Sequence, residues 1–370
     1  MTRSILLSTA LVSLFALPAM AQDKENFAAS GATGIKLKVS GQVNRAMLFT
    51  DDGNNSDTFF VDNDNSSTRF RFTGSGDLDS DTSLGFVIET QIESNSSADV
   101  NQNNRTTNNG ATFTERKMEV YIDSKTMGRV TLGQGDMASN GTSETDLSGT
   151  SVIAYSAVED MAGGLLLNDK TTNTLTGMTV GGVFNNYDGL SRRDRIRYDT
   201  PSFNGFQLST SAGDNGRYDA AARYKASFGD VAFDSAVAYS NDNNDNDTYN
   251  GSFSFLHKVS GVSLTAAAAT VDLDDSTDPR DPLMYYVKLG WQTKDMTAYG
   301  KTAFAVDFGY NEDTLTADDE SKSYGIFVVQ NLDRVGTELY AGVRNYEYEA
   351  PGATKYDDML AVMAGARVKF

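Results

Sequence analysis

The chain has no cysteine in 370 residues, five prolines, one tryptophan and one histidine. Without thiols there is no disulfide framework and no thiolate nucleophile or metal ligand. That suits a chain exported through an oxidising compartment, where a stray thiol would cross-link. Few prolines beside 33 glycines and 10% aromatic residues fit many strands and turns better than helices. Beyond the N-terminus no stretch approaches twenty consecutive apolar residues, the length a membrane helix needs. Any membrane passage must therefore be made by strands, in which only alternate residues meet lipid and mean hydropathy stays low. Basic residues are also short, 31 against 50 acids for a net charge of −19, which excludes nucleic acid as a partner on electrostatic grounds.

What is present begins with an address. Arg3 precedes the apolar run Ile5 to Leu17, broken at Pro18 and ending in Ala19-Met20-Ala21. This is the charged start, short apolar core and small-residue cleavage site of a secretory signal peptide over residues 1–21. Cleavage after Ala21 leaves 370 − 21 = 349 residues, 22–370, and the loss of Arg3 takes the charge from −19 to −20.

In the remainder, period-two segments recur about sixteen times, from Ile35–Phe49 and Ser66–Gly76 through Ser191–Thr200 and Thr297–Gly309 to Asp358–Phe370. The connections alternate in length. Those such as Asp77–Asp81, Lys125–Met127 and Ser260–Gly261 are tight, whereas Thr50–Asn65, Glu93–Phe113, Asp136–Leu190 and Asp272–Pro282 are long and polar. Short turns on one rim and long loops on the other predict an all-β fold, a 16-stranded antiparallel transmembrane β-barrel. Its third loop, 136–190, is the longest, and a loop of that size within a compact domain is usually functional or disordered. Asp214–Arg217 is a short exception among the long loops.

Parity within strands gives the two faces. Phe70 and Phe72 oppose Arg69 and Arg71; Leu84, Phe86 and Ile88 alternate with Ser83, Gly85 and Glu89; Met118, Val120 and Ile122 alternate with Lys117, Glu119 and Tyr121. A face so charged is intolerable in a dry sandwich core, so it needs a water-filled lumen. Just after the third loop, Arg193, Arg195 and Arg197 share one face while Ile196 and Tyr198 take the other. An inward-folded third loop would set its acids against that arginine row across water, making a pore with a constriction. One strand dissents. The parity of Ile35, Leu37, Val39 and Val43 puts Arg45 on the outer face, which suggests a bulge or a subunit contact.

In the last strand Leu360, Val362, Ala364, Ala366, Val368 and the terminal Phe370 share one parity, with Arg367 and Lys369 on the other. A terminal Phe after alternate apolar residues resembles the assembly signal of outer-membrane proteins. With Val39-Ser-Gly-Gln-Val-Asn-Arg45, Ser67-Thr-Arg-Phe-Arg-Phe-Thr-Gly74 and Arg129-Val-Thr-Leu-Gly-Gln-Gly135 in that order, the chain resembles Gram-negative general diffusion porins of the alphaproteobacterial type. The resemblance implies a homotrimer in the bacterial outer membrane, in contact with lipid and lipopolysaccharide and inserted by the outer-membrane assembly machinery through Phe370. It also implies passive diffusion of small hydrophilic solutes and ions. By position it carries wall arginines onto Arg69, Arg71, Arg193, Arg195 and Arg197, and constriction acids onto Glu144, Asp146, Glu159 and Asp160. A substrate-selective channel for sugars or anions shares every one of these features, and a barrel-based adhesin or enzyme is a more distant alternative.

Other motifs carry less. Gly133-Gln-Gly135-Asp-Met-Ala138 matches a dinucleotide fingerprint, but no helical periodicity follows on which a pyrophosphate would sit. Asp242–Asp247 is acidic like a calcium loop, yet the glycine of position six is missing and position twelve is Phe253; weak calcium binding stays open and no cofactor is otherwise expected. The only histidine, His257, ends a strand on the parity of Phe253 and Phe255, and no serine-histidine-acid set can be drawn around it. Tyr285, Tyr286, Trp291, Tyr299 and Tyr340 lie near strand ends, where an interfacial aromatic girdle is expected.

Overall fold

The computed structural model describes residues 34–106, 111–243, 246–273 and 277–370; the expected signal peptide lies outside them. The chain runs through β1 (Lys36–Asp51), β2 (Ser56–Asp62), β3 (Arg69–Asp77), β4 (Thr82–Glu93), β5 (Thr112–Ser124) and β6 (Gly128–Asp136). A long segment, 137–191, follows and carries the hairpin β7 (Leu166–Asp169) and β8 (Thr174–Thr179) and the short helix α1 (Val180–Val183). The wall then resumes with β9 (Arg192–Asp199), β10 (Phe206–Gly213), β11 (Tyr218–Phe228), β12 (Val231–Asn241), β13 (Asp247–His257), β14 (Val262–Asp272) and β15 (Leu283–Thr293). It finishes with β16 (Thr302–Glu312), β17 (Glu320–Leu332), β18 (Thr337–Glu349) and β19 (Met359–Lys369).

Consecutive wall strands pair antiparallel, and β6 pairs with β9 across the long segment. The sheet closes through β1 and β19, in register from Gln42↔Lys369 to Asp51↔Leu360. β2 and β3 occupy one wall position, since β2 pairs with the later half of β1 and β3 with the earlier half. Seventeen strands in the sheet thus give sixteen wall positions. Closure removes the two open ends of the sheet, which is what lets a sheet span lipid. Phe370 completes the seam: its N–H donates to the Gly41 carbonyl at 3.0 Å and its own carbonyl accepts from Gly41 N–H at 2.9 Å. Its ring lies over Gly41, where a Cβ would fall 2.6 Å from a ring carbon, so the seam depends on the absence of a side chain there.

Most sequence-derived strands match to within a few residues, and the departures have causes. Thr50–Asn65, expected as a loop, contains β2; adjacent apolar residues Phe59-Phe60-Val61 blur the alternation that marks a half-buried strand. The strand expected from Thr297 starts at Thr302, because Gly300 adopts φ +151° where the chain folds back. At Arg45 no bulge interrupts β1; Asp62 stands opposite it and pairs with it at 2.6 Å on the outer face. Among the girdle candidates, Tyr285, Trp291 and Tyr299 are exposed, but Tyr286 and Tyr340 point inward and are buried. Consecutive residues of a strand cannot share a face, so Tyr285 and Tyr286 cannot both meet lipid. Tyr286 Oη donates to Asp307 at 2.8 Å and Tyr340 Oη to Asn44 at 2.6 Å.

Candidate functional site

The wall opens between β2 and β3, where residues 63–68 leave the sheet and fold inward. Gln42 and Asn44 of β1 hold that break from behind. Gln42 Nε2 donates to the Ser66 and Ser67 carbonyls at 3.0 and 2.8 Å, and Asn44 Nδ2 to Ser66 at 2.8 Å. A second irregularity lies where β4 and β5 slip register between Glu89 and Thr90, leaving Arg116 as the extra residue. Arg116 Nε then donates to Glu89 Oε1 at 2.9 Å, and Arg71 pairs with the same carboxylate.

Segment 137–191 runs inside the barrel and is stitched to the wall along its first leg. Arg195 of β9 donates to the carbonyls of Gly133 and Asp136 at 2.7 and 3.0 Å and to Glu119 at 2.6 Å. Arg197 donates to the Met137 carbonyl at 2.9 Å and holds Asp199 at 2.7 Å. Farther along, Ser252 and Ser254 of β13 accept from Thr145 and Leu147 N–H at 3.0 and 2.9 Å. Lys288 of β15, wholly buried, pairs with Asp146 at 2.8 Å and donates to the Ala154 carbonyl at 2.7 Å.

The rest of the segment packs by apolar contact. Val152, Ile153, Val158, Met161, Leu165, Val183 and Phe184 form one cluster with inward residues of the wall, among them Leu48, Phe59, Phe327, Met359 and Met363. Among the described residues, this leaves a lumenal cavity of about 850 Å³ on the β3–β6 side. Its wall contributes Arg69, Arg116, Arg192 and Arg367; the inner segment contributes Glu144, Glu159, Asp160 and Asp188, with Tyr155 and Asn186 beside them; Asp64 comes from the break in the wall. Arg69 and Arg367 both donate to Ser66 Oγ, at 3.2 and 2.6 Å, which aims two cations past the same hydroxyl.

The segment's acids are crowded and half-buried. Burial, reinforced by the charge of Asp188, pushes Glu144 up to about 8. Burial also pushes Glu159 to about 7 and Asp188 to about 6, and it raises Asp160 well above the usual carboxylate range, with Asp64 and Glu159 adding repulsion. Tyr155 Oη donates to Asp160, and Asp188 accepts from Gly141 and Ser143 N–H at 2.5 and 2.8 Å.

Set against the sequence expectation, the cavity brings together Arg69, Glu144, Glu159 and Asp160. Arg71 is spent on Glu89. Arg195 and Arg197 do not face the acids across water, because backbone carbonyls at the foot of the segment claim their guanidiniums. Arg193 lies beside them, its Nη1 donating to the Arg192 carbonyl at 3.1 Å. Asp146 turns to the opposite wall and Lys288. Parity had placed Arg367 inward without assigning it to the site. The run Glu115-Arg116-Lys117 was the available signal for Arg116, since consecutive charges break period two and mark a bulge. Asp188 was one acid among many in a loop.

The remaining motifs resolve locally. Gly133, with φ +119°, sits where a Cβ would be 2.3 Å from the Met118 carbonyl, and no helix follows it. His257 Nδ1 is 2.8 Å from Ser260 Oγ across an exposed turn. Of the Asp242–Asp247 stretch, residues 244 and 245 lie outside the described residues; Asp247 accepts from Tyr239 and Asn241 at 2.8 and 2.9 Å. Among the described residues no group of three or more His, Asp or Glu is placed to hold a metal ion.

The family model of the Gram-negative porins matches residues 8–351. The chain belongs to the Gram-negative porins. Solved structures agree in fold. OmpT, an outer membrane protein of Vibrio cholerae, matches at TM-score 0.61 and 12% identity over 94% of this chain and 100% of that one. The anion-selective porin from Comamonas acidovorans matches at 0.58 and 15% over 91% and 100%, and OprB of Pseudomonas putida at 0.60 and 10% over 91% and 94%. No curated protein matches the chain in sequence. A trimer form of the Vibrio cholerae OmpT is among the structural matches. As a porin the chain resides in the bacterial outer membrane and forms a water-filled channel for passive diffusion of small hydrophilic solutes and ions. Family and fold point to a channel and not to an enzyme.

Proposed function

We propose that segment 137–191 is the constriction of this porin and that its selectivity is set where Glu144, Glu159, Asp160 and Asp188 oppose Arg69, Arg116, Arg192 and Arg367. The observation that carries the reading is the cavity itself, which has cations on the barrel wall and acids on the inserted segment. Opposed rows of charge make a transverse field more than a single-sign filter, and such a field orders water and obstructs apolar solutes, which cannot replace that order. The net charge, −19 for the whole chain and −20 once Arg3 leaves with residues 1–21, enriches cations at the mouths over a screening length of about 8 Å at physiological salt. The pore is therefore a general diffusion channel with a mild preference for cations, and it has no catalytic role.

The porin works as a homotrimer in lipid and lipopolysaccharide, is exported by residues 1–21, and is inserted by the assembly machinery that reads Phe370. Phe370→Ser leaves chain in the periplasm; normal insertion of that variant would remove the terminal signal from the account. A second reading is an anion-selective channel, favoured by the four arginines in the lining and by the likeness in fold to the anion-selective porin from Comamonas acidovorans. Reversal potentials across a salt gradient, taken at a pH above the range in which Glu144, Glu159 and Asp188 titrate, separate the two. Arg69→Glu with Arg116→Glu strengthens cation preference, whereas Glu144→Gln, Glu159→Gln and Asp160→Asn together abolish or reverse it. Strong anion selectivity in the unmodified porin supports the second reading, and no response to either set would move the constriction elsewhere.

A further inference from the structure

The stems of the inserted segment are held by a wall carboxylate that does not itself line the cavity. Asp219 of β11 faces inward and is 2% exposed. Its Oδ2 accepts from Ser139 N–H at 2.7 Å and from Ser139 Oγ at 2.6 Å; its Oδ1 accepts from Ala138 N–H at 3.2 Å and from Ser211 Oγ. Ser139 Oγ in turn accepts from Leu190 N–H at 3.0 Å. The outgoing and returning stems of the inserted segment are thereby tied to each other and to one wall carboxylate. The stems meet so closely that a Cβ on Gly189, which has φ +76°, would lie 2.3 Å from Ser139 Oγ. Arg223, four residues along the same strand, donates to the carbonyls of Ala138 and Asn140 at 2.8 and 2.9 Å and closes the clamp from the other side.

We infer that Asp219, acting through Ser139, is the positioning residue that sets where the constriction acids Glu144 and Asp188 stand in the pore. The clamp fixes residues 138–140 and 190, and two of the acids, Glu144 and Asp188, follow within a few residues. Asp188 is two positions before Leu190 and receives Gly141 and Ser143 N–H, and Glu144 directly follows Ser143. A buried carboxylate with several donors is held tightly, because the charged acceptor strengthens each bond and leaving any of them unmade strands a desolvated group. Since Asp219 is absent from the cavity lining, it reaches the permeating ion through the placement of other groups.

This rests on the reading of segment 137–191 as the constriction, and the test separates the two. The full-length porin is purified as Ser139→Ala and as Asp219→Asn, and each is recorded in a planar bilayer beside the unmodified protein. Ser139→Ala is neutral in charge, so any change in its reversal potential is positional. The inference predicts loss of the single steady open level, replaced by fluctuating sublevels, and a shifted reversal potential in both variants. A folded band should still form on an unheated gel, since the backbone pairing between wall strands is untouched. Steady currents with unmodified selectivity in both variants overturn it, as does failure of both to assemble, which would make the clamp a folding element. If both variants are steady while the charge substitutions at Glu144, Glu159 and Asp160 still shift selectivity, the constriction reading survives and the clamp does not.

Discussion

The two sides of the lumen are built on opposite physics. On the side of β15–β19, β1 and β2 the inserted segment docks as a dry interface: Ile153, Met161 and Leu165 are fully buried against Phe327, Met359 and Met363. On the side of β3–β6 the wall presents charge to a cavity, and its arginines pair with neighbours or face the segment's acids. The dry side fixes the segment by excluding apolar area from water; the wet side uses that fixed position to present charge. The same loop is therefore a plug on one face and a filter on the other. Substitutions should divide accordingly, into those that move stability and those that move selectivity.

The largest effect is expected at the buried pair on the docking side. Lys288→Met leaves the Asp146 carboxylate buried without its cation, a loss of about 3–5 kcal/mol, read as a lower unfolding temperature and as proteolysis of the loosened segment. Ile153→Ala follows, costing about 2–5 kcal/mol through lost burial and the cavity left behind, with proteolysis in detergent as the measure. Arg69→Gln on the wet side should leave both measures unchanged while altering the reversal potential, because its partners are hydroxyl and cavity. The smallest effect is expected away from the inserted segment, at Lys225→Ala, whose solvent-exposed ammonium pairs with Asp234 and contributes about 0–1 kcal/mol. A docking-side variant that changed selectivity without loosening the segment would break the division.

The same contrast explains what the sequence revealed. Alternation marked the wall wherever one face is wet, as in Arg69-Phe70-Arg71-Phe72, and the sixteen positions could be counted from it. On the docking side both faces are apolar. In β19 the run Met359-Leu360-Ala361-Val362-Met363 has its odd members buried under the segment and its even members exposed, yet nothing in the residues distinguishes the two rows. Reading the outer row correctly therefore gave no sign of the inner one. The arginine row of β9 was legible as a row but not in its use, since the carbonyls that claim Arg195 and Arg197 belong to a backbone path that alternation does not encode. Asp146 and Asp188 look alike in the sequence, and only the path of the segment sends one to Lys288 and the other to the cavity.

The acids on the wet side make the account testable by pH. Burial and mutual repulsion raise Asp188, Glu159 and Glu144 to about 6, 7 and 8. A carboxyl raised in the folded state favours the neutral form there, so its contribution to docking is complete below its unfolded value near 4 and is lost as pH rises through the folded value. The segment is thus held most firmly in acid, while its field is strongest in base. The decisive measurement is the reversal potential of the unmodified porin across a potassium chloride gradient, followed from pH 5 to pH 9. The account predicts a weak preference at pH 5 that grows more cation-selective, mainly between pH 6 and 8. A selectivity flat across that window, or one that turns toward anions as pH rises, would contradict it.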